Sequence, residues 1–204
     1  LTACLAWMLS GWTTAEAKHR SDDEQVVRIL NDTEPPGGRE IWTLSEEWRV
    51  GGPDGDLLFG LISDIDVDEE GTIYVLDAQL CQVHLFSPRG HHLRTIFREG
   101  PGPGEVSSPR DLVVLDDGVG AAEEYPGKIV VVDRHGVPLS SLIPGGDVPG
   151  EVPRASLTST DWGGGNLVVA GALLRSGTRP GISDRTYFLS SYDRQGNERA
   201  RYCD

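Results

Sequence analysis

The chain has 204 residues, a formal net charge of −14 at pH 7 and an isoelectric point of about 4.7. This acidic balance argues against a nucleic-acid partner, because phosphate binding requires concentrated positive charge. The length suffices for one domain, and the 26 glycines predict many tight turns.

The first residues have the pattern of an export signal. Residues 1–12 form an apolar run too short to span a bilayer, and Ala15-Glu16-Ala17 precedes a charged stretch. This pattern predicts a signal segment over residues 1–17 that lacks its charged start, and therefore a secreted or periplasmic bacterial protein. A second interpretation is a lipoprotein, because Leu1-Thr2-Ala3-Cys4 resembles a lipoprotein box. Membrane attachment is expected only if Cys4 is lipidated.

An arm or linker is predicted over residues 18–40. Residues 26–30 are a candidate strand, and the breakers at residues 34–38 end it.

Four short apolar runs follow within residues 63–109. They lie at residues 65–67, 73–76, 83–86 and 93–97, and turn residues separate them. Within the runs, β-branched and aromatic residues alternate with polar ones, which indicates half-buried antiparallel strands joined by tight turns. Four such strands in about 45 residues match one blade of a β-propeller.

The rest of the chain repeats this unit. A shift of 46 residues places residues 103–106 on residues 149–152, and Gly90 on Gly136. The repeat predicts blades at about residues 63–109, 110–154 and 155–204. The second strand of the second blade, at residues 119–125, has poor strand propensity and is placed by the repeat alone. Residues 175–184 are rich in breakers and predict an exposed loop between two strands of the third blade.

The predicted fold is therefore all-β, with about three propeller blades of four antiparallel strands. Closed propellers usually need at least four blades, so we expect a fragment of a longer ring rather than a self-contained three-sheet prism. Residues 41–51 are expected to supply a strand to the closing blade, since an N-terminal strand often completes the last blade.

Three motifs carry a family resemblance. They are D-x-D-x-x-G-x-I-Y-V-x-D from Asp66 to Asp77, V-x-x-F-x-x-x-G from Val83 to Gly90, and the link REGPGPGEVSSP at residues 98–109. The chain resembles the NHL-type, six-bladed β-propeller proteins of bacteria, although Val106 replaces the family's usual aromatic residue. The resemblance implies a six-bladed ring and an exported protein, but no particular activity, because propellers host many functions.

Metal ligands in such a ring would have to come from the innermost strands, where the five histidines are badly placed. Asp64, Asp66 and Asp68 alternate along one innermost strand and share a face, and Asp111 begins the matching strand of the next blade. Asp64 and Asp111 are thus weak candidates for a calcium site, and no other cofactor is expected. The alternative is structural, because Asp often caps turns and accepts backbone N–H bonds.

The predicted function is a scaffold that binds a protein, peptide or glycan ligand on one propeller face. The blade crossovers and the loops between second and third strands should share that face. The predicted ligand-binding residues there are Gln79, Arg98, Glu99, Glu105 and Arg110, with the insertion at residues 175–184. The alternative is a metal-dependent propeller hydrolase or lyase whose site is completed by further blades. A purely structural envelope protein is a third reading, and no nucleophilic Ser/His/Asp or Cys/His arrangement can be assembled from the spacing.

Overall fold

The computed structural model describes residues 41–52, 55, 57–144, 155–176 and 183–203, which form twelve strands and no helix. The expected signal segment and arm, residues 1–40, lie outside the described residues. No helix long and apolar enough to cross a membrane occurs in the described part of the chain.

The strands form three four-stranded antiparallel sheets, each a simple meander. The first blade contains β1 (Ile62–Val67), β2 (Ile73–Asp77), β3 (Gln82–Phe86) and β4 (His92–Ile96). The second contains β5 (Pro109–Val114), β6 (Val119–Glu123), β7 (Lys128–Val132) and β8 (Pro138–Leu142). The third contains β9 (Ala155–Gly163), β10 (Asn166–Ser176), β11 (Ser183–Tyr192) and β12 (Glu198–Cys203). The first strand of each blade contacts the first strand of the next, as in a β-propeller, and the predicted fold class is confirmed.

One local expectation is corrected. The ladder between β10 and β11 continues into the predicted loop, where Arg175 pairs with Asp184 and Ser176 with Ser183. Backbone pairing therefore overrides the weak strand propensity at both ends of that insertion. The described residues of 41–51 form no strand here, and their role as a strand of a closing blade stays a prediction.

The second blade is buried on both faces. Alternate residues of β7 point to opposite sides, so that Val130 and Val132 join the core against the first blade, while Ile129 and Val131 join the core against the third. Residues of β6, the strand with poor propensity, are all buried. Its small side chains fit because a Cβ atom added at Gly120 would lie 2.8 Å from Val113 Cγ1.

The connections divide between two ends of the blades. Turns within the pairs β1–β2, β3–β4 and their repeats lie at one end, here called the turn face. The β2–β3 and β6–β7 turns and the crossover from the first blade to the second lie at the other, here called the crossover face. The backbone N–H of Ser107, in the first crossover, donates to Glu123 Oε1 at 2.7 Å and so joins the crossover to the second blade.

Candidate ligand-binding face

An acidic groove of about 450 Å³ lies on the turn face, at the ends of the three innermost strands. Six carboxylates line it: Asp66, Asp68, Glu69, Glu70, Asp116 and Asp161. Arg134 is the one basic residue among the described lining residues, and Trp162 supplies an aromatic wall. The excess of carboxylates makes this groove a site for positive charge.

Arg134 links the first two blades at one side of the acidic groove. It lies in the β7–β8 turn, and its Nη1 atom is 3.5 Å from Asp68 Oδ2 and 3.3 Å from Glu70 Oε2. The side chain of Asp68 is only 3% exposed. Asp68 Oδ2 also accepts a bond from the hydroxyl of Tyr74 at 3.0 Å. Burial, followed by this bond to Asp68, raises the pKa of Tyr74 to about 12, so Tyr74 stays a neutral donor.

On the other side of the acidic groove, Trp162 is held by a hydrogen bond to an aspartate. Its Nε1–H donates to Asp116 Oδ1 at 2.9 Å, and the guanidinium of Arg194 lies 5.4 Å from the ring centroid. Arg194, in the β11–β12 turn, also contacts Asp116 at 2.5 Å and Asp117 at 3.0 Å. The indole bond, with the arginine, lowers the pKa of Asp116, which therefore stays ionised.

A second groove, here called the apolar groove, adjoins the first between the second and third blades. Its volume is about 210 Å³, and its apolar lining consists of Leu115, Val131, Leu139, Leu142, Trp162 and Leu167. Leu115 and Trp162 line both grooves. The turn face therefore presents an acidic depression and an apolar one that share a wall.

The candidate metal ligands take part in contacts between blades. Asp64 Oδ2 accepts the backbone N–H of Leu112 at 2.8 Å. Asp111 Oδ2 accepts both the backbone N–H and the hydroxyl of Thr160 in the third blade. Such bonds are expected if Asp64 and Asp111 hold the neighbouring blade in place rather than bind a metal ion. Within the described residues, no three His, Cys, Asp or Glu side chains are grouped to hold a metal ion, and a calcium site at Asp64 and Asp111 stays a prediction.

The carboxylate of Asp64 also affects the pKa of Asp111. The pKa of Asp111 is raised to about 6, chiefly by burial and also by the neighbouring carboxylate of Asp64, while the bonds from Thr160 act in the opposite direction. Near pH 6 the Asp111 carboxyl therefore carries a proton for about half the time, and it can then donate to Asp64.

The described histidines are packed or solvated, since His84 is buried and His91, His92 and His135 are exposed. His84 is 2% exposed, and its Nδ1 atom lies 3.0 Å from Thr95 Oγ1. Its ring meets Phe59 edge-on at a centroid distance of 5.3 Å. Burial, with a smaller effect from His92, lowers the pKa of His84 and keeps it neutral.

The residues predicted to bind a ligand lie on the crossover face, away from the two grooves. Arg98 and Glu105 are brought together, with Arg98 Nη2 2.6 Å from Glu105 Oε1. The backbone N–H of Gly102 and then Arg98 lower the pKa of Glu105, so the pair stays charged. Arg110 lies 3.6 Å from Glu124.

The remaining two predicted residues are held by their backbones. Glu99 forms a backbone bridge with Val106, and the backbone N–H of Gln79 donates to Asp77 Oδ1 at 3.1 Å. The side chain of Gln79 lies against Gly60, where an added Cβ would come within 2.9 Å of it. Ligand binding by this set stays a prediction.

Sequence reasoning missed Arg134, Arg194 and Trp162. A signal for the two arginines exists, because each follows an aspartate in the turn between third and fourth strands, as Asp133-Arg134 and Asp193-Arg194. The aspartate Oδ1 accepts the N–H groups two and four residues later in both turns, which projects the following arginine toward the preceding blade. No comparable signal marks Trp162.

No protein-family model and no curated protein matches the chain. Among solved structures, BamB from Moraxella catarrhalis is similar at 16% identity and a TM-score of 0.42, over 69% of this chain and 34% of that one. The dihydro-heme d1 dehydrogenase NirN, in complex with DHE, is similar at 17% identity and a TM-score of 0.43, over 72% of this chain and 38% of that one. Virginiamycin B lyase from Staphylococcus aureus is similar at 11% identity and a TM-score of 0.37, over 69% of this chain and 54% of that one.

The chain thus spans 34% to 54% of the length of these solved structures. At such identities and TM-scores the likenesses carry no argument about activity. The propeller fold rests on the strand order and on the contacts between the innermost strands.

Proposed function

We propose that this chain is part of an exported, NHL-type β-propeller scaffold that binds a protein or peptide ligand on its turn face. Export is supported by the signal-like pattern of residues 1–17, and the NHL type by the motif from Asp66 to Asp77. The blades supply a rigid frame, and the connections at their ends supply the contacts.

The acidic groove is the observation that carries this proposal. Glu69 and Asp161 are exposed on its rim, while Arg134 and Arg194 already neutralise part of the charge of the other carboxylates. A lysine or arginine side chain of a ligand would gain about 1 kcal/mol beside one carboxylate in water and more in a partly dry groove. Glycan hydroxyls could donate to these carboxylates, but a neutral glycan brings no charge to offset theirs, so a polypeptide with basic side chains is the favoured ligand class.

A library of short random peptides, selected on the immobilised full chain, tests this function. We expect enrichment of peptides with lysine or arginine, and a loss of their binding on the double variant Glu69→Gln/Asp161→Asn. The control is Arg98→Gln/Arg110→Gln on the crossover face, which should bind as the parent does in fluorescence anisotropy.

Two results would overturn the proposal. Failure of the library to yield any binding peptide would remove polypeptide binding. Loss of binding on the Arg98→Gln/Arg110→Gln variant alone would transfer the site to the crossover face.

A further inference from the structure

We infer that the ligand is recognised through two of its side chains, a lysine or arginine in the acidic groove and a large apolar side chain in the apolar groove, on opposite sides of Trp162. This inference rests on the proposed function and adds to it the side-chain chemistry of the bound segment.

The wall between the two grooves is Trp162, and its position is fixed. The Trp162 indole is bonded to Asp116, and Arg194 lies over its ring at 5.4 Å. The backbone N–H of Trp162 donates to Asp161 Oδ1 at 2.8 Å. Since both the side chain and the backbone of Trp162 are held before any ligand arrives, little conformational entropy is lost on binding. A fixed tryptophan is also the side chain most often found to dominate a binding interface.

The second step concerns charge on the two sides of this wall. Asp116 and Asp117 are both contacted by Arg194, so the negative charge of the wall is partly compensated. On the side of the acidic groove, Asp161 uses one oxygen for the N–H of Trp162, and no hydrogen bond to its second oxygen occurs among the described residues. Glu69 is also exposed and lines the same groove from the first blade. These two carboxylates are available to a cationic side chain.

The third step concerns the apolar groove, whose floor is buried and whose rim is open. Val131 and Leu167 are buried, whereas Leu139 is 51% exposed. Two acids lie in this lining, and both have partners. Asp117 lies 3.0 Å from Arg194. Asp193 is bonded to Asn197 and lies 2.8 Å from Arg199, and the amide of Asn197 is the first cause of its lowered pKa. A leucine or phenylalanine side chain placed here would bury apolar surface at about 25 cal/mol per Å² without stranding a charge.

Charge complementarity selects the occupant of these grooves. A second copy of this chain, with its net charge of −14, would bring more negative charge to a groove that already holds six carboxylates. An anionic lipid surface is disfavoured for the same reason. A peptide segment with a basic and an apolar side chain complements the charge of the acidic groove and the lining of the apolar groove.

The test uses the most enriched peptide from the random library and measures its affinity by fluorescence anisotropy. In one double-mutant cycle, a basic residue of the peptide is changed to alanine and Asp161 to Asn. In a second cycle, an apolar residue of the peptide is changed to alanine and Leu139 to Ser. Each single change should weaken binding about tenfold, and each double change should be little worse than the single ones.

Controls separate this inference from the proposed function. Glu47→Gln, an exposed carboxylate in the lead-in to the first blade, should leave the affinity unchanged. Coupling of the basic residue to Asp161 without any apolar coupling to Leu139 would overturn the inference and leave the proposed function standing. Failure of the library to yield any peptide would remove both. Purely additive effects in both cycles, with binding retained, would contradict the two-groove arrangement.

Discussion

Asp66 Oδ2 accepts a hydrogen bond from the backbone N–H of Val114 at 2.8 Å, and this bond joins the innermost strands of the first two blades. Asp64 and Leu112 make the same contact one pleat earlier, also at 2.8 Å. The innermost strands of neighbouring blades are therefore linked by aspartate side chains rather than by a backbone ladder. This linkage explains why Asp64 and Asp66 alternate along the innermost strand of the first blade.

The Asp66→Asn variant tests the linkage. The carboxylate serves two donors, because Oδ1 accepts the N–H of Val67 at 2.7 Å while Oδ2 accepts that of Val114. An amide offers a single acceptor, so one N–H loses its partner and the free energy of unfolding should fall by about 1–3 kcal/mol. Urea unfolding measures the change.

Asp161→Asn is the matched control for that variant. Asp161 accepts the N–H of Trp162 in the same way, and its amide counterpart keeps that bond. A loss of stability as large as that of Asp66→Asn would contradict the role given to the bond between blades.

The pH dependence of stability should depend on Asp111. Its folded pKa of about 6 lies above its ordinary value of 3.8, so its contribution is fully present below pH 3.8 and is lost as the pH rises through about 6. In Asp111→Asn the amide oxygen still accepts from Thr160, and the amide N–H can donate to Asp64 as the protonated acid does. Urea midpoints at about pH 5 and about pH 7.5 should therefore differ less in the variant than in the parent.

Asp133 contributes to the pH dependence of stability with the opposite sign to Asp111. Backbone N–H bonds, led by that of Val137, lower the pKa of Asp133, so its stabilisation is present above 3.8 and is lost as the pH falls. Above about pH 5 the contribution of Asp133 is constant, whereas that of buried His84, whose pKa is lowered from 6.5, still changes. The effect of His84 is common to the parent and the Asp111→Asn variant, so the difference between their profiles reports Asp111. Parallel pH profiles for the parent and the Asp111→Asn variant would show that Asp111 does not titrate in this range.

Close packing in the second blade is tested by Gly120→Ala. The added Cβ would lie 2.8 Å from Val113 Cγ1 and 3.3 Å from Ile129 Cγ2, and such overpacking should cost about 1–3 kcal/mol. At Gly163 an added Cβ meets no heavy atom within 4 Å, so Gly163→Ala serves as the control. Equal urea midpoints for the two variants would mean that the blade faces are not packed as described.

The two arginine links should differ in strength. Arg134 contacts Asp68, whose side chain is 3% exposed, whereas the partners of Arg194 are more than half exposed. Removing the partner of a buried carboxylate is costly, so Arg134→Gln should lower the free energy of unfolding by about 1–2 kcal/mol even at high salt. Arg194→Gln should have a smaller effect that salt abolishes. The reverse order in urea unfolding would contradict this assignment.

Most of the fold can be predicted from local patterns in the sequence. The four strands of the first blade follow from alternating residues between turn signals, because a half-buried strand shows that alternation directly. The second blade does not show it, since β6 is buried on both faces and uses small residues such as Ala121 and Ala122 to admit its neighbours. Its place could be found only from the repeat.

The candidate site is harder to predict from the sequence. Arg134 meets Glu70 from 64 positions away, and Arg194 meets Asp116 from 78 positions away. Such contacts depend on the angle between blades, which no local pattern encodes. Reasoning from propeller geometry led instead to the crossover face, where Arg98 and Glu105 chiefly pair with each other.

Amide hydrogen exchange on the full chain, with and without a saturating library-selected peptide, tests the central claim most directly. Binding on the turn face predicts new protection at residues 68–70, 115–117 and 161–162, with residues 78–81 and 97–108 unchanged. Protection confined to residues 78–81 and 97–108 would place the ligand on the crossover face and contradict the account.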